Sequence, residues 1–168
     1  MDITVISIMI AAGILVVGVI NSIDTSRRSA KAAERELKTR QAQFFLQIYD
    51  DFHKAEFFDK FTDILTWKWN DYDDFIGKYG REANAKAWYS LGSVAAFFEG
   101  IGVLVHKNVI DTELVRELMS RHIVIFWEKI SPISYEMRKR LKLPVDIWLE
   151  QLYNQMKQTL EEDNIDWS

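Results

Sequence analysis

The chain reads as all-α: a single N-terminal transmembrane helix followed by a cytoplasmic helical bundle of five to six helices. Three observations predict this class. Residues 3–23 read ITVISIMIAAGILVVGVINSI, about 21 residues without a charge, enough to cross a hydrocarbon core of roughly 30 Å at about 1.5 Å per residue. The remainder, about 145 residues, has the size of one domain, and its ten Phe, six Trp and six Tyr provide ample large apolar surface for a core. Across that remainder apolar residues recur at intervals of three and four, and no stretch alternates as a strand does.

The anchor is read as a retained span because a cleaved signal peptide carries its positive charges ahead of the apolar run. Here only Met1 and acidic Asp2 precede it, and Arg27, Arg28, Lys31, Arg35, Lys38 and Arg40 follow it. Basic flanks stay in the cytoplasm. Arg27, Arg28 and Lys31 therefore orient a single-pass protein of the cell membrane, N-terminus outside and C-terminal domain cytoplasmic, with anionic lipid headgroups against the collar. Within the span Ser7, Ala11, Gly18 and Ser22 fall along one side. Small residues favour helix association in lipid, so this stripe predicts a neighbouring span.

No Pro or Gly lies between Ile23 and Phe52, so the span is expected to continue as one rod. Ala30, Ala33, Leu37, Phe44 and Ile48 give that rod a thin apolar stripe, and Phe44, Phe45, Ile48, Tyr49 and Phe52 form one amphipathic stretch at its end. Phe57, Phe58, Phe61, Ile64 and Leu65 mark the next helix, ending before Trp67, Lys68, Trp69 and Asn70. Residues 71–79 form a short helix closed by Gly80, whose tolerance of positive φ suits a C-cap. A central helix over about 83–105 places Trp88, Leu91, Ala95, Phe98 and Ile101 on one flank. Gly92, Ala96 and Gly100 lie on another, and a mid-helix glycine costs about 0.5–1 kcal/mol relative to Ala, so tight packing is expected there. Asp111 and Glu113 open a helix over 112–129. Pro132 is expected to interrupt it, with a further helix over about 133–141. Pro144 precedes a last helix over about 145–162, with Ile147, Trp148, Leu152 and Met156 inward. The organisation is thus an anchor over 1–23, a basic juxtamembrane helix over 24–43, a helical domain over 44–162 and a polar tail over 163–168.

Residues 87–105 hold one formal charge, Glu99, and are long enough to be weighed as a second span. An acidic group at a helix centre costs roughly 2.5–3.5 kcal/mol on insertion scales, and the glycines and serines around it add little driving force. One span is the reading preferred.

Several runs carry a family resemblance: Phe97-Phe98-Glu99-Gly100-Ile101-Gly102-Val103-Leu104-Val105, then Ile110-Asp111 and Leu114-Val115. Phe126-Trp127-Glu128-Lys129, Pro132-Ile133 and Tyr135-Glu136-Met137-Arg138 follow. From about Phe44 to Met156 the chain resembles an uncharacterised prokaryotic family, domain of unknown function 4760, and the most specific pieces are FFEGIG and FWEK. The resemblance implies an N-terminal span followed by a small helical cytoplasmic domain. It supplies no reaction and no site residue.

Formal net charge is −4, with the basic collar beside an acidic stretch at 50–74. Acids interleave the aromatic Trp67, Trp69, Tyr72 and Phe75, which opposes nucleic-acid binding. The absence of cysteine excludes disulfides, zinc thiolate sites and cysteine-held iron–sulfur clusters. Asp50, His53 and Glu56 lie at helical spacing, but a di-iron bundle needs two Glu-x-x-His pairs with further acids, and His106 and His122 lack a matched acid. No phosphate-cradling glycine loop or nucleophile elbow is present. No catalytic residue, metal centre or cofactor is assigned. Glu99 and Glu128 sit among aromatic and aliphatic neighbours and are read as buried charges, paired to a basic residue such as Arg81, Arg121 or Arg138 and fixing helix register. In a pocket they would instead be candidate acids or bases.

The sequence therefore points to a non-enzymatic accessory or regulatory subunit that docks its span and helical domain on a larger integral membrane complex. Ser7, Ala11, Gly18, Ser22, Trp67, Trp69 and Tyr72 are the expected contact residues. Two alternatives belong to other classes: a membrane-tethered small-ligand sensor or enzyme using Glu99 or Glu128, and a homo-oligomeric helical stalk.

Overall fold

A computed structural model describes the backbone of residues 3–162, and the side chains of residue 22 and residues 25–158. Among these residues there are six α-helices and no strand: α1 Ile3–Phe52, α2 Ala55–Thr66, α3 Tyr72–Tyr79, α4 Ala85–His106, α5 Thr112–Leu141 and α6 Ile147–Glu162. The chain divides into two compact units, Met1–Arg40 and Gln41–Ser168.

The first unit is helical from Ile3, and from Thr25 to Arg40 every side chain is exposed. Its charges pair along the helix surface, Glu34 with Lys38 at 3.3 Å and Glu36 with Arg40 at 2.6 Å. Such exposed i, i+4 pairs add only about 0.3–0.5 kcal/mol each. Of the expected apolar stripe Ala30 and Ala33 are exposed, Leu37 is 58% exposed and Phe44 42% exposed, and Ile48 alone packs against the core.

In the second unit the last turns of α1 turn the amphipathic stretch at 44–52 inward, all but Phe44. Phe45 and Phe52 are fully buried, Ile48 and Tyr49 half-buried, and Gln41 Nε2 donates to the Asn108 carbonyl at 2.7 Å. Phe52 sits at the hub of an aromatic core, its ring centroid 5.3–5.9 Å from those of Phe57, Phe58, Phe61, Phe97 and Phe98. Edge-to-face and offset pairs of this kind add about 0.5–1.5 kcal/mol beyond area burial.

The central helix α4 packs against α2 and α6, and α5 packs against α3 and α6. Leu91, Val94, Phe98, Ile101, Gly102 and Val105 form the buried face of α4; Val115, Met119, Ile123, Phe126, Trp127, Ile130 and Ile133 form that of α5. From α6 come Leu149, Leu152 and Met156. Within the described residues α4 is the one helix long and apolar enough to cross a membrane, and here it is the core helix of the bundle.

The expected close approach on α4 falls at a different glycine. A Cβ added at Gly92 or Gly100 meets open space, whereas one at Gly102 would lie 2.4 Å from the Trp148 carbonyl oxygen. Gly102 is therefore where the backbones of α4 and α6 meet, and the small residues at 92 and 96 leave a surface hollow instead.

Capping explains where the helices begin. Asp71 accepts from the Asp74 N–H at 2.9 Å, Asn84 from Ala87 at 3.0 Å and Asp111 from Glu113 at 2.9 Å. Gly80 closes α3 with φ −63°, so it is not there for a left-handed conformation. Its requirement is steric, since a Cβ would stand 2.4 Å from the Ile76 carbonyl oxygen. Pro132 does not interrupt α5, which runs unbroken from Thr112 to Leu141. The lost backbone hydrogen bond lies on an exposed side, while Ile130, Ile133 and Ser134 are buried on either side of it, so packing holds the helix through the proline. Lys142 then ends α5 at φ 54°, its N–H donating to the Arg138 carbonyl at 2.9 Å. The last helix begins at Ile147, after Pro144 and Val145.

Candidate functional site

The hollow left by the small residues of α4 opens into a cleft of about 410 Å³ between α4, α5 and the connector that leads to α6. Its floor is Leu91, Gly92, Ala95 and Ala96, with Trp88 toward one end and Glu99 toward the other. Ile130, Ile133, Ser134 and Met137 of α5 form one wall, and Pro144, Val145 and Asp146 form the rim. Trp88 and Glu99 stand eleven positions apart on α4, roughly 16 Å along the axis at about 1.5 Å per residue. The cleft is thus apolar along most of its length and acidic at one end.

That acidic end is built by three helices. Glu99 Oε2 accepts from the Leu149 backbone N–H at 2.7 Å, so a side chain of α4 caps the first turn of α6. Asp146 immediately precedes α6 at φ 54°, in the left-handed region that costs a non-glycine residue roughly 1–2 kcal/mol. Contacts on both of its halves hold it there. Its Oδ2 accepts from the Ser134 hydroxyl at 2.6 Å, and its carbonyl accepts from Arg138 Nη2 at 2.9 Å and from the Glu150 N–H at 3.1 Å. Burial pushes the Asp146 carboxyl above its ordinary value; the Ser134 hydrogen bond opposes this, the Glu99 charge adds to it and Arg138 opposes it again.

Arg138 anchors the connector from below. Nε donates to the Val145 carbonyl at 2.6 Å, and Nη1 pairs with Glu150, whose other oxygen accepts from the Tyr135 hydroxyl at 2.7 Å. Burial raises the Glu150 carboxyl, but the hydrogen bonds from Arg138 and Tyr135 outweigh it and hold the group below the usual carboxylate range. The hydrogen bond to Glu150 in turn pushes the Tyr135 hydroxyl up.

Of the two glutamates expected to be buried, only Glu99 lies in this site, half-buried and capping α6 rather than paired with an arginine. Glu128 is exposed, on the surface of α5, where Lys157 Nζ and the Tyr153 hydroxyl donate to it at 3.3 Å each. The reason is register: Phe126, Trp127 and Ile130 take the inward positions of that turn. Sequence reasoning missed Asp146 and Ser134. The one signal for Asp146 was its place just after Pro144, at the start of a helix; nothing local marks Ser134.

The expected contact segment is packed rather than free. Trp67 is 6% exposed, stacked on Tyr79 at 4.3 Å with planes 4° apart; its indole N–H donates to Asp63 at 3.1 Å and its carbonyl accepts from Lys129. It is a core residue. Trp69 and Tyr72 are half-buried, covered by Lys129 at 4.5 Å and by Arg140 at 4.3 Å from the ring centroids. With Asp73, Glu136, Pro132 and Arg140 they line a second depression of about 400 Å³. There Arg140 pairs with Asp73 at 2.6 Å and Glu136 at 3.2 Å.

Ser7, Ala11 and Gly18 lie outside the residues whose side chains are described; Ser22, Arg27, Arg28 and Lys31 are exposed on α1. No group of three metal-ligating side chains occurs among the described residues. His53 Nδ1 is 2.9 Å from the Tyr49 carbonyl, Glu56 pairs with Lys60 at 2.8 Å and His106 packs on Trp148 with centroids 4.2 Å apart. His122 is set among Phe52, Phe58 and Phe61, and its buried Nδ1 has no hydrogen-bond partner. Burial lowers its pKa, as do the neighbouring His53 and Arg121 charges.

No curated protein and no solved structure matches the chain. A family model does, over residues 4–157, taking in every helix up to the buried face of α6. The chain belongs to the family described as a domain of unknown function, DUF4760.

Proposed function

We propose that this protein is a non-enzymatic, single-span accessory or regulatory subunit of a larger membrane complex. One observation carries the reading: the helix that begins with the uncharged run 3–23 is the same α1 that delivers Phe45 and Phe52 into the core of the helical unit. A tether and a folded module thus share one element. Residues 3–23 cross the bilayer, Arg27, Arg28 and Lys31 keep the following helix on the cytoplasmic side, and the stripe of Ser7, Ala11, Gly18 and Ser22 meets a partner span. Trp69 and Tyr72 remain as half-exposed contacts on the domain; Trp67 serves the core. The test is gentle-detergent purification of the tagged protein at native level, followed by mass spectrometry. Defined membrane subunits in fixed ratio are expected, and Gly18→Ile should release them. A lone chain or a pure self-oligomer would contradict the proposal.

A second reading is favoured by the cleft itself: a tethered module that senses a small ligand. Its volume falls within the roughly 300–1,000 Å³ of small-molecule sites, and its few polar groups converge at one end of an apolar trough.

A further inference from the structure

We infer that the cleft between α4, α5 and the 142–146 connector binds a small organic cation, an amine or quaternary ammonium group carrying an unbranched apolar body. The inference rests on the small-ligand reading and names the ligand's chemical class.

Charge complementarity selects the class. Two carboxylates, Glu99 and Asp146, line the cleft, and no Lys, Arg or His does. Neither carboxylate is in an ion pair among the described residues: Glu99 accepts from a backbone N–H and Asp146 from a neutral hydroxyl. The nearby guanidinium of Arg138 is committed to the Val145 and Asp146 carbonyls and to Glu150, whose carboxylate offsets its charge. Two acids placed together with no basic residue in the lining leave a site that an ammonium group completes. The raised pKa of Asp146, due to burial and with Glu99 contributing, agrees with that deficit. An anionic ligand would instead meet like charge in a largely apolar trough.

Shape selects the rest of the molecule. Beyond the acidic end the floor is Leu91, Gly92 and Ala95, running toward Trp88. A Cβ at Gly92 meets nothing within 4 Å, so the trough owes its depth to the missing side chain there. A narrow apolar chain fits along this floor with its ammonium head between Glu99 and Asp146.

The test is calorimetric titration of the full chain in detergent, against matched micelle blanks, with hexylamine, hexanol and hexanoate. These probes share one body and differ in charge. Saturable hexylamine binding is expected, at least about tenfold tighter than hexanol, with hexanoate weakest. Asp146→Asn combined with Glu99→Gln should bring hexylamine down to the hexanol level. Gly92→Leu, whose side chain enters open space and so leaves the fold intact, with a melting transition no lower than the parent's, should abolish binding of both. Hexanol binding as tightly as hexylamine would overturn the cation class while leaving a ligand cleft. Hexylamine binding untouched by Gly92→Leu would place the cation elsewhere and overturn the site. Absence of any saturable binding would overturn the inference and the small-ligand reading together.

Discussion

Glu99 on α4 accepts a 2.7 Å hydrogen bond from the backbone N–H of Leu149, the third residue of α6, so the central helix caps the last one. The first turn of a helix leaves its N–H groups without intrahelical partners, and a carboxylate there also meets the positive end of the helix dipole. Glu99→Ala should therefore cost about 1–2 kcal/mol in unfolding free energy. Glu99→Gln keeps an acceptor and loses only the charge, so it should cost about 0.3–1 kcal/mol. Thermal and denaturant unfolding in detergent would measure both; a Glu99→Ala protein as stable as the parent would remove the cap from the structure's energetics.

The two faces of α4 predict opposite effects of the same substitution. At Gly102 an added methyl would lie 2.4 Å from the Trp148 carbonyl oxygen, and Gly102→Ala should destabilise by about 1–3 kcal/mol as α6 is pushed away. At Gly92 the same methyl enters open space, and Gly92→Ala should stabilise by about 0.5–1 kcal/mol through helix propensity. Paired melting curves decide the matter. A tolerated Gly102→Ala would mean that α6 does not sit against α4 at this point.

His122 predicts how stability depends on pH. Its folded pKa lies below the ordinary value of 6.5, chiefly because it is buried, with His53 and Arg121 adding to the effect. The unfolded chain then takes up this proton more readily than the folded one. The His122 contribution is fully present above the unfolded value and is lost as pH falls through the folded one. The melting temperature should therefore fall as pH is lowered from about 7 to about 5, and His122→Phe, compatible with the Phe52, Phe58 and Phe61 rings around it, should flatten that slope. Identical slopes for the two proteins would assign the effect to other groups.

The features legible in the sequence were those set by short-range rules. Asp111 followed by Glu113 marked the start of α5, the Phe57 to Leu65 pattern marked α2, and the lack of Pro or Gly between Ile23 and Phe52 marked the continuity of α1. What failed depended on packing between distant segments. Pro132 reads locally as a break, yet Ile130 and Ile133 are buried on either side of it and α5 continues. Leu37 and Phe44 read as part of an inward stripe, yet both are exposed, and within the amphipathic stretch at 44–52 it is Phe45 and Phe52 that are fully buried. The candidate site was half legible. Glu99 stood out as the lone formal charge of residues 87–105, whereas Ser134 and Asp146 join it only through the turn at Lys142 and the left-handed backbone at Asp146 itself.

The absence of cysteine permits the most direct test of the claim that residues 3–23 are the single span and α4 belongs to the domain. Asp2→Cys and Ser93→Cys, the latter at an exposed position of α4, would each be treated with a membrane-impermeant maleimide in intact and in permeabilised cells. The expected result is labelling of Asp2→Cys in intact cells and of Ser93→Cys only after permeabilisation. A Ser93→Cys protein that stays unlabelled after permeabilisation would place α4 in the bilayer, and labelling of Asp2→Cys only after permeabilisation would put the N-terminus on the inner side; either result contradicts the proposed topology.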